Sequence, residues 1–173
     1  MRSMSILLLQ KIQMQSSNPR IVIAVLYGQN FEIKINSTSE GRHRLRAVSA
    51  IGESFPLHCT ANGKAILSAL PEEKLQRLLR APMPKLTPNT ITRPAELLKE
   101  IESCRRTGIA LDLEEHTEGI SAIGTGFVDP MGRAIALSIP VPTTRFKRIR
   151  QELAAHLLAA RDRIIEALGE PPR

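Results

Sequence analysis

The chain has 173 residues, a net charge of +7 and a sequence pI of about 10.0. Hydrophobic residues make up 42% and charged residues 24%, which is typical of a soluble globular protein with one ordinary domain. Aromatic residues make up only 3%, so the chain lacks the stacking surfaces that binders of single-stranded nucleic acids use. The core must therefore be built from Leu, Ile, Val and Ala.

The positive charge is concentrated in two places, residues 42–46 and 145–150. An excess of positive charge attracts anionic ligands or partners, but both places are interpreted as solvated faces of a strand and a helix. No helix-turn-helix pair, zinc finger or basic zipper can be assigned to these residues, so double-stranded DNA binding within this chain finds no support.

The cysteine count and the apolar runs indicate the compartment. Cys59 and Cys104 are the two cysteines, which is too few for a disulfide framework. The apolar run at residues 6–9 is too short for a signal peptide, and no stretch is long enough to span a membrane. The sequence therefore predicts a cytoplasmic protein with reduced thiols and no membrane partner.

The first third of the chain predicts mainly strands. Residues 6–15 are consistent with a short helix or the end of a longer one, which "SSNP" then terminates. Two apolar, β-branched runs at residues 21–27 and 31–35 flank a short loop containing Gly28, which predicts a β-hairpin. Residues 42–51 alternate weakly between polar and apolar and are a candidate third strand.

The middle of the chain predicts three helices. Thr60 is the expected N-cap of the first, within "PLHCTANGKAILSAL". Pro71 suits the first turn of the second helix, where the two glutamates that follow it complement the helix dipole. After the proline-rich connector "APMPKLTPNT", Pro94 begins a third helix, which Gly108 ends.

The last third predicts a strand, a hairpin and a long helix. Residues 109–113 form the strand, and the polar loop "EEHTEG" follows it. Residues 120–128 and 133–139 predict the hairpin. Thr143 or Thr144 is expected to cap a long helix with a continuous apolar stripe. The complete order of elements indicates one α+β domain with an antiparallel sheet covered by helices.

The pair Gly63-Lys64 raises the question of a phosphate-binding loop. That motif needs a glycine where this chain has His58, and a Ser or Thr where it has Ala65. Nucleotide hydrolysis is therefore not expected. Two readings of the segment stay open, an ordinary capped helix and a helix N-terminus whose free N–H groups attract a carboxylate or phosphate.

Thiol and metal chemistry are weaker hypotheses. His58 and Cys59 are adjacent, and adjacent residues in a strand point to opposite faces, so they would not meet as base and nucleophile. Buried, inert cysteines are the favoured interpretation. The histidines and cysteines show no ligand spacing, so no metal site is expected.

A dense polar cluster follows the strand at residues 109–113. Asp112, Glu114, Glu115 and His116 could perform acid–base chemistry if they lined a pocket. The cluster is interpreted as a solvated loop, with Asp112, at the strand end, as the residue best placed to face a pocket.

Two segments resemble the effector-binding domain of IclR-family transcriptional regulators. "GESFPLHCTANGKAILSALPEEKL" resembles the segment that opens the central helices of that domain. "RRTGIALDLEEHTEGISAIGTGFVDPMGRAIALSIPVPTTRF" resembles its second signature segment, a strand ending in Glu-Glu-His and then a hairpin. The resemblance covers nearly the whole chain, and the two motifs stand in the family's order.

The resemblance implies a GAF-like (profilin-like) antiparallel sheet flanked by helices, with a long C-terminal helix. Residues 1–17 would be the end of a linker helix or an N-terminal segment, and residues 18–173 the effector-binding domain. The family's winged helix-turn-helix, which binds operator DNA, is expected to be absent from this chain.

The resemblance also implies a ligand site at the start of the central helix. Its matching positions comprise two backbone amide donors, three apolar walls, one acid and one hydroxyl: Ala61, Asn62, Phe55, Ile120, Ala122, Asp112 and Ser138. Asn62 departs from the small or apolar residue that the family usually has, Leu113 replaces a common acidic residue, and Pro140 stands where a donor is frequent. These departures leave the identity of the effector open, whether organic acid or neutral hydroxylated compound.

The function that the resemblance implies is ligand sensing and oligomerisation in an allosteric regulator. A small-molecule effector would alter operator binding by a homodimer or homotetramer, without enzymatic activity, metal or cofactor. Two alternatives stay open. One is a stand-alone GAF-like sensor that regulates a protein partner, and the other is a thiol-redox enzyme that uses Cys59 or Cys104.

Overall fold

The computed structural model describes residues 22–26, 32–38 and 54–169 of the chain. The strands in these ranges are β1 (Val22–Leu26), β2 (Glu32–Thr38), β3 (Ser54–Pro56), β4 (Ala110–Leu113), β5 (Ile120–Val128) and β6 (Ala134–Pro142). The helices are α1 (Ala61–Ala69), α2 (Glu72–Leu78), α3 (Pro94–Thr107) and α4 (Thr143–Leu168). None of these helices combines the length and the apolar character that crossing a membrane requires.

The strands form one antiparallel sheet with the order β3-β2-β1-β6-β5-β4. Both predicted hairpins are confirmed, as the pairs β1–β2 and β5–β6. The expected α+β class with a long C-terminal helix is also confirmed. The predicted helix at residues 6–15, the candidate strand at residues 42–51 and the boundary between residues 17 and 18 lie outside the described residues. The short strand β3 was not predicted.

The predicted helix boundaries in the middle of the chain are confirmed with one shift. The Thr60 hydroxyl accepts a hydrogen bond from the Gly63 N–H at 3.0 Å, which makes Thr60 the N-cap of α1. Pro71 is the N-cap of α2, one position before its first turn. Pro94 is the first residue of α3, and Gly108 ends it with φ of 74°, a left-handed conformation that glycine adopts without strain.

The prediction that a threonine caps α4 is wrong. The N-cap is Pro142, and no side chain caps the helix. Thr143 is already its first residue, and its N–H donates to the Gly119 carbonyl at 2.9 Å. The Thr143 and Ser121 hydroxyls are 2.9 Å apart and hydrogen-bonded, so this threonine fastens α4 to β5. The fixed φ of Pro142 sets the entry into the helix in place of a side-chain cap.

The sheet separates two apolar layers. The α4 face is packed with alternate residues of β5 and β6 and with the stripe of α4, whose buried members include Phe146, Leu153, Leu157, Ala160 and Ile164. The other face carries α1, α2 and α3, with a core that includes Leu57, Ile66, Leu75, Leu97, Ile101 and Ala136. Each face of the sheet is therefore covered by helices, and polar side chains between the layers must find partners there.

Two glycines let α1 lie directly on the sheet. A Cβ atom at Gly124 of β5 would lie 2.7 Å from the Ala61 carbonyl oxygen, and one at Gly126 would lie 2.3 Å from that of Ala65. Both distances are shorter than carbon and oxygen atoms tolerate. The backbone of α1 therefore crosses β5 at van der Waals distance, with its first turn over the middle of that strand.

Candidate functional site at the start of helix α1

The predicted site residues of β4, β5 and β6 share one face of the sheet. Asp112 pairs with Ala122, and Gly124 pairs with Ser138. Residues that pair in an antiparallel ladder lie on the same face, as do alternate residues of one strand. Asp112, Ala122 and Ser138 therefore lie on the face that Gly124 presents to α1, and all three are buried.

Ile120 and Phe55 are placed differently. Ile120 shares the face of Ala122 but lies at the beginning of β5, where it pairs with Pro142, so it is farther from the start of α1. Phe55 lies on β3, at the opposite edge of the sheet from β4. Its ring nevertheless contacts the ring of His116, with centroids 5.1 Å apart. Phe55 of β3 thus contacts the loop that follows β4.

The first turn of α1 keeps two N–H groups available. The Gly63 N–H donates to the Thr60 hydroxyl, and the Lys64 N–H donates to the Thr60 carbonyl at 2.9 Å. Neither the Ala61 nor the Asn62 N–H has an acceptor among the described residues. Such free donors at a helix N-terminus attract oxygen atoms and negative charge.

The lysine of the Gly-Lys pair takes part in a buried ion pair. Lys64 is only 1% exposed, and its Nζ lies 2.6 Å from Glu115 Oε1 and 3.4 Å from Glu100 Oε2. The sequence pattern raised Lys64 only as a phosphate ligand and did not predict this ion pair. A lysine within an apolar helical segment was the signal, because a buried ammonium requires a carboxylate partner.

The interpretation of the polar cluster as a solvated loop is wrong for two of its members. Asp112 is 5% exposed and Glu115 is 6% exposed. Asp112 Oδ1 accepts hydrogen bonds from the N–H groups of Glu115, at 2.8 Å, and His116, at 3.4 Å. Glu114, between them, has a positive φ of 62°. Asp112 therefore holds the turn after β4 in shape, as Asp does in many loops.

Burial changes the acidity of both carboxyl groups. It raises the pKa of Asp112 to about 7, against the effect of the hydrogen bond from the Glu115 N–H. Burial also raises the pKa of Glu115, and the nearby ammonium of Lys64 opposes this rise. Asp112 is thus partly protonated at neutral pH, so its carboxyl group can act as a hydrogen-bond donor as well as an acceptor.

His58 and Cys59 lie in the bend between β3 and α1 and not in a strand, which corrects the expectation about their directions. Both are buried, and His58 Nε2 is 3.0 Å from the Pro84 carbonyl oxygen. Burial, together with the charges of Asp112 and Glu115, raises the pKa of the Cys59 thiol to about 12. A thiol with this pKa is a poor nucleophile.

Comparison with known proteins identifies the family. A family model described as "Bacterial transcriptional regulator IclR C-terminal" matches residues 2–165. The HTH-type transcriptional regulator Rv1719 of Mycobacterium tuberculosis is 52% identical over 116 residues, which are 67% of this chain and 45% of that protein. This chain spans about half the length of the curated relatives that it matches.

Solved structures agree with the family match. The Thermotoga maritima IclR superposes with a TM-score of 0.86 at 30% identity, over 98% of this chain and 68% of that one. The inducer-binding domain of Acinetobacter PobR, solved as a double mutant with 3-hydroxybenzoic acid, gives 0.74 at 25% identity, over 91% and 93% of the two chains.

The resemblance inferred from the two sequence segments is confirmed by these matches. The relatives are transcriptional regulators and not enzymes, so the thiol-redox alternative is not supported. The chain belongs to the IclR family of bacterial transcriptional regulators and is the effector-binding, C-terminal domain of that family.

Proposed function

We propose that this domain binds a small-molecule effector at the first turn of α1, beside the face of β4, β5 and β6 on which that turn lies. Binding alters operator recognition by a helix-turn-helix domain outside this chain, within a homodimer or homotetramer. The observation that carries the proposal is the free Ala61 and Asn62 N–H groups at the place where α1 crosses Gly124. These donors lie above a sheet face that contains the buried polar residues Asp112 and Ser138.

The chemistry of this place favours a ligand rich in oxygen. Two backbone N–H groups at a helix N-terminus favour a carboxylate. An ionised Asp112 would repel that carboxylate, but a pKa of about 7 keeps a substantial fraction of Asp112 protonated at neutral pH. The protonated carboxyl donates a hydrogen bond and does not repel the ligand. An organic acid therefore fits the site better than the sequence alone indicated.

Two features offer a route from the ligand to the rest of the assembly. Asp112 holds the turn after β4 through the Glu115 and His116 N–H groups, and His116 contacts Phe55 at the other edge of the sheet. A ligand that binds one arrangement of these groups better than another shifts the population of that arrangement. The name of Rv1719 as an HTH-type regulator supports DNA binding by a separate helix-turn-helix domain. The description of the PobR domain as inducer-binding supports effector binding by this domain.

Thermal unfolding with a panel of organic acids, sugar acids, aromatic acids and neutral polyols tests the proposal. A ligand at a hundred times its dissociation constant adds about 2.7 kcal/mol of stability, which raises the midpoint by roughly 5–10 °C in a domain of this size. The hit should weaken at least about fivefold in Ser138→Ala, because a hydroxyl partner is lost.

Ser121→Ala is the matched control. Ser121 is also a buried serine in the sheet, but it lies on the α4 face and its hydroxyl is hydrogen-bonded to Thr143. It should leave affinity unchanged. Equal losses of effector affinity in Ser121→Ala and Ser138→Ala would contradict the proposed location of the effector site. Unchanged affinity in a folded Ser138→Ala protein would contradict it as well.

A further inference from the structure

We propose that the side chain of Asn62 reads a hydrogen-bond donor on the effector, so that the preferred effector is a hydroxy-substituted carboxylic acid. This inference rests on the proposed function and specifies the ligand class of the same site. Within the described part of the chain, Asn62 Oδ1 is buried and has no hydrogen-bond partner.

Asn62 is unusual for a buried polar residue. It is only 5% exposed, and nothing hydrogen-bonds to its Oδ1. Most buried side-chain polar atoms have at least one partner, because leaving one unpaired costs the full desolvation of the group. The neighbouring Thr60 shows the normal case, since its hydroxyl both accepts from the Gly63 N–H and donates to the Pro56 carbonyl. The unpaired Oδ1 of Asn62 is therefore an acceptor that a ligand can use.

Helix geometry places Asn62 on the flank of α1 over β6. Successive residues turn by about 100° around a helix axis. Ala61 and Ala65 point down to β5, as their contacts with the two glycines there show. Lys64 lies on the flank toward β4, because it reaches Glu115. Asn62 is roughly 160° from Lys64 around the axis and so lies on the opposite flank.

The strand beneath that flank supplies the polar partner of the predicted site. Ser138 of β6 pairs with Gly124, over which Ala61 lies. The Asn62 side chain, the free N–H groups of the first turn and Ser138 are therefore placed on the same side of the sheet, at the start of α1. A ligand bound there would meet donors from the helix backbone and an acceptor, Asn62 Oδ1.

This arrangement specifies two groups on one ligand. The backbone N–H groups require an acceptor, for which a carboxylate is the strongest candidate. The Asn62 carbonyl requires an O–H or N–H close to that acceptor. A ligand with a hydroxyl group close to its carboxylate provides both the donor and the acceptor. The corresponding acid without the hydroxyl leaves the Asn62 carbonyl unpaired. A site with an unpaired buried polar group discriminates against such a ligand.

The first experiment needs no ligand. Asn62→Leu keeps the shape of the side chain and removes its polar atoms. If the Asn62 carbonyl oxygen has no partner in the free protein, the urea midpoint of Asn62→Leu should be equal to or higher than that of the wild type. A clearly lower midpoint would show that the amide already has a structural partner, and would overturn the inference.

The second experiment compares matched acids by calorimetry or thermal shift. The pairs are glycolate and acetate, lactate and propionate, and 3-hydroxybenzoate and benzoate. In at least one pair the wild type should prefer the hydroxylated member by about fivefold or more, and Asn62→Ala should reduce that preference to near one. Asn89→Ala is the control, since Asn89 is exposed and its amide donates to the Leu113 carbonyl.

The outcomes separate the inference from the proposed function. Binding without preference for the hydroxylated member, or a preference that Asn62→Ala retains, overturns the role of Asn62 and leaves the effector site in place. Failure of all six acids to bind overturns the hydroxy-acid class, and the broader panel, with its Ser138→Ala and Ser121→Ala variants, then decides the proposed function by itself.

Discussion

The ammonium group of Lys64 lies 2.6 Å from a carboxylate oxygen of Glu115, inside the protein. Lys64 belongs to α1 and Glu115 to the loop between β4 and β5, and Glu100 of α3 is 3.4 Å away as a second partner. Both members of the closer pair have lost almost all contact with water. One buried cation therefore connects three elements around the start of α1.

Replacing Lys64 alone should be costly. Lys64→Met leaves the buried Glu115 without its cation, and removing one partner of a buried ion pair typically costs about 3–5 kcal/mol. We expect a loss of this size in the free energy of unfolding, measured with urea at pH 7. The double variant Lys64→Met with Glu115→Leu should recover most of it, because no unpaired charge remains.

An exposed ion pair is the control for this experiment. Arg93, the N-cap residue of α3, forms an exposed pair with Glu96 in the first turn of that helix, and Arg93→Ala should change the free energy of unfolding far less than Lys64→Met does. A double variant as unstable as Lys64→Met alone would mean that packing of the lysine chain, and not the unpaired carboxylate, determines the cost.

The approach of α1 to β5 should tolerate no side chain at Gly124. A Cβ atom there would lie 2.7 Å from the Ala61 carbonyl oxygen, which is backbone and has little freedom to move. Gly124→Ala should therefore cost about 1–3 kcal/mol in urea unfolding and displace the first turn of α1. Effector binding should weaken in the same variant.

Gly132→Asn is a suitable control for the glycine effect. Gly132 has φ of 74° in the turn between β5 and β6, and a Cβ atom there meets nothing within 4 Å. Asparagine is tolerated in this conformation, so Gly132→Asn should lower the free energy of unfolding by much less than Gly124→Ala does. Equal costs at the two positions would contradict the close approach of α1.

The pKa of Asp112 predicts a dependence of stability on pH. Unfolding returns this pKa from about 7 to its ordinary value of 3.8. Between these values the folded protein holds a proton that the unfolded chain releases, so the free energy of unfolding falls as pH rises, by at most about 1.4 kcal/mol per pH unit. Below pH 4 this contribution to stability is fully present, and above pH 7 it has been lost.

Asp112→Asn should remove that dependence, because an amide oxygen also accepts from the Glu115 and His116 N–H groups and does not titrate. The stability of Asp112→Asn relative to the wild type should therefore increase steadily from pH 4 to pH 7 in urea unfolding. A difference that stays constant over this range would show that Asp112 is ionised throughout.

The two cysteines should be inert in the folded protein. Burial raises the pKa of both thiols, that of Cys59 to about 12, so at pH 8 only about one Cys59 in ten thousand is a thiolate. A disulfide reagent such as dithiobis(nitrobenzoate) should label neither residue without denaturant and both in urea. Cys59→Ser and Cys104→Ser assign the two reactions. Rapid labelling of native Cys59 would contradict its buried environment.

Local signals in the sequence predicted the elements well. Thr60 as a cap, Pro94 as a helix start and Gly108 as a helix end depend on a few neighbouring residues, and all three are confirmed. The threonine cap of α4 failed because Pro142 sets the helix entry itself. The strand β3 was missed because three residues ending in a proline carry almost no strand signal.

Relations between distant segments could not be predicted in the same way. The partnership of Lys64 with Glu115 depends on how α1 lies across the sheet, which in turn depends on the space above Gly124 and Gly126. The resemblance placed Asp112 and Ser138 on one surface with α1, but it did not indicate that Asp112 also shapes the turn after its strand.

The order of strands in the sheet has a consequence for how the chain acquires its structure. Val22 of β1 pairs with Ser138 of β6, so strands near opposite ends of the chain are direct neighbours. The β1–β2–β3 half of the sheet lacks this neighbour until β6 has been synthesised, whereas the β5–β6 hairpin and α4 are local in sequence. Contacts so far apart are slow to form, and docking of the first half onto β6 is expected to be the late, rate-limiting event of folding.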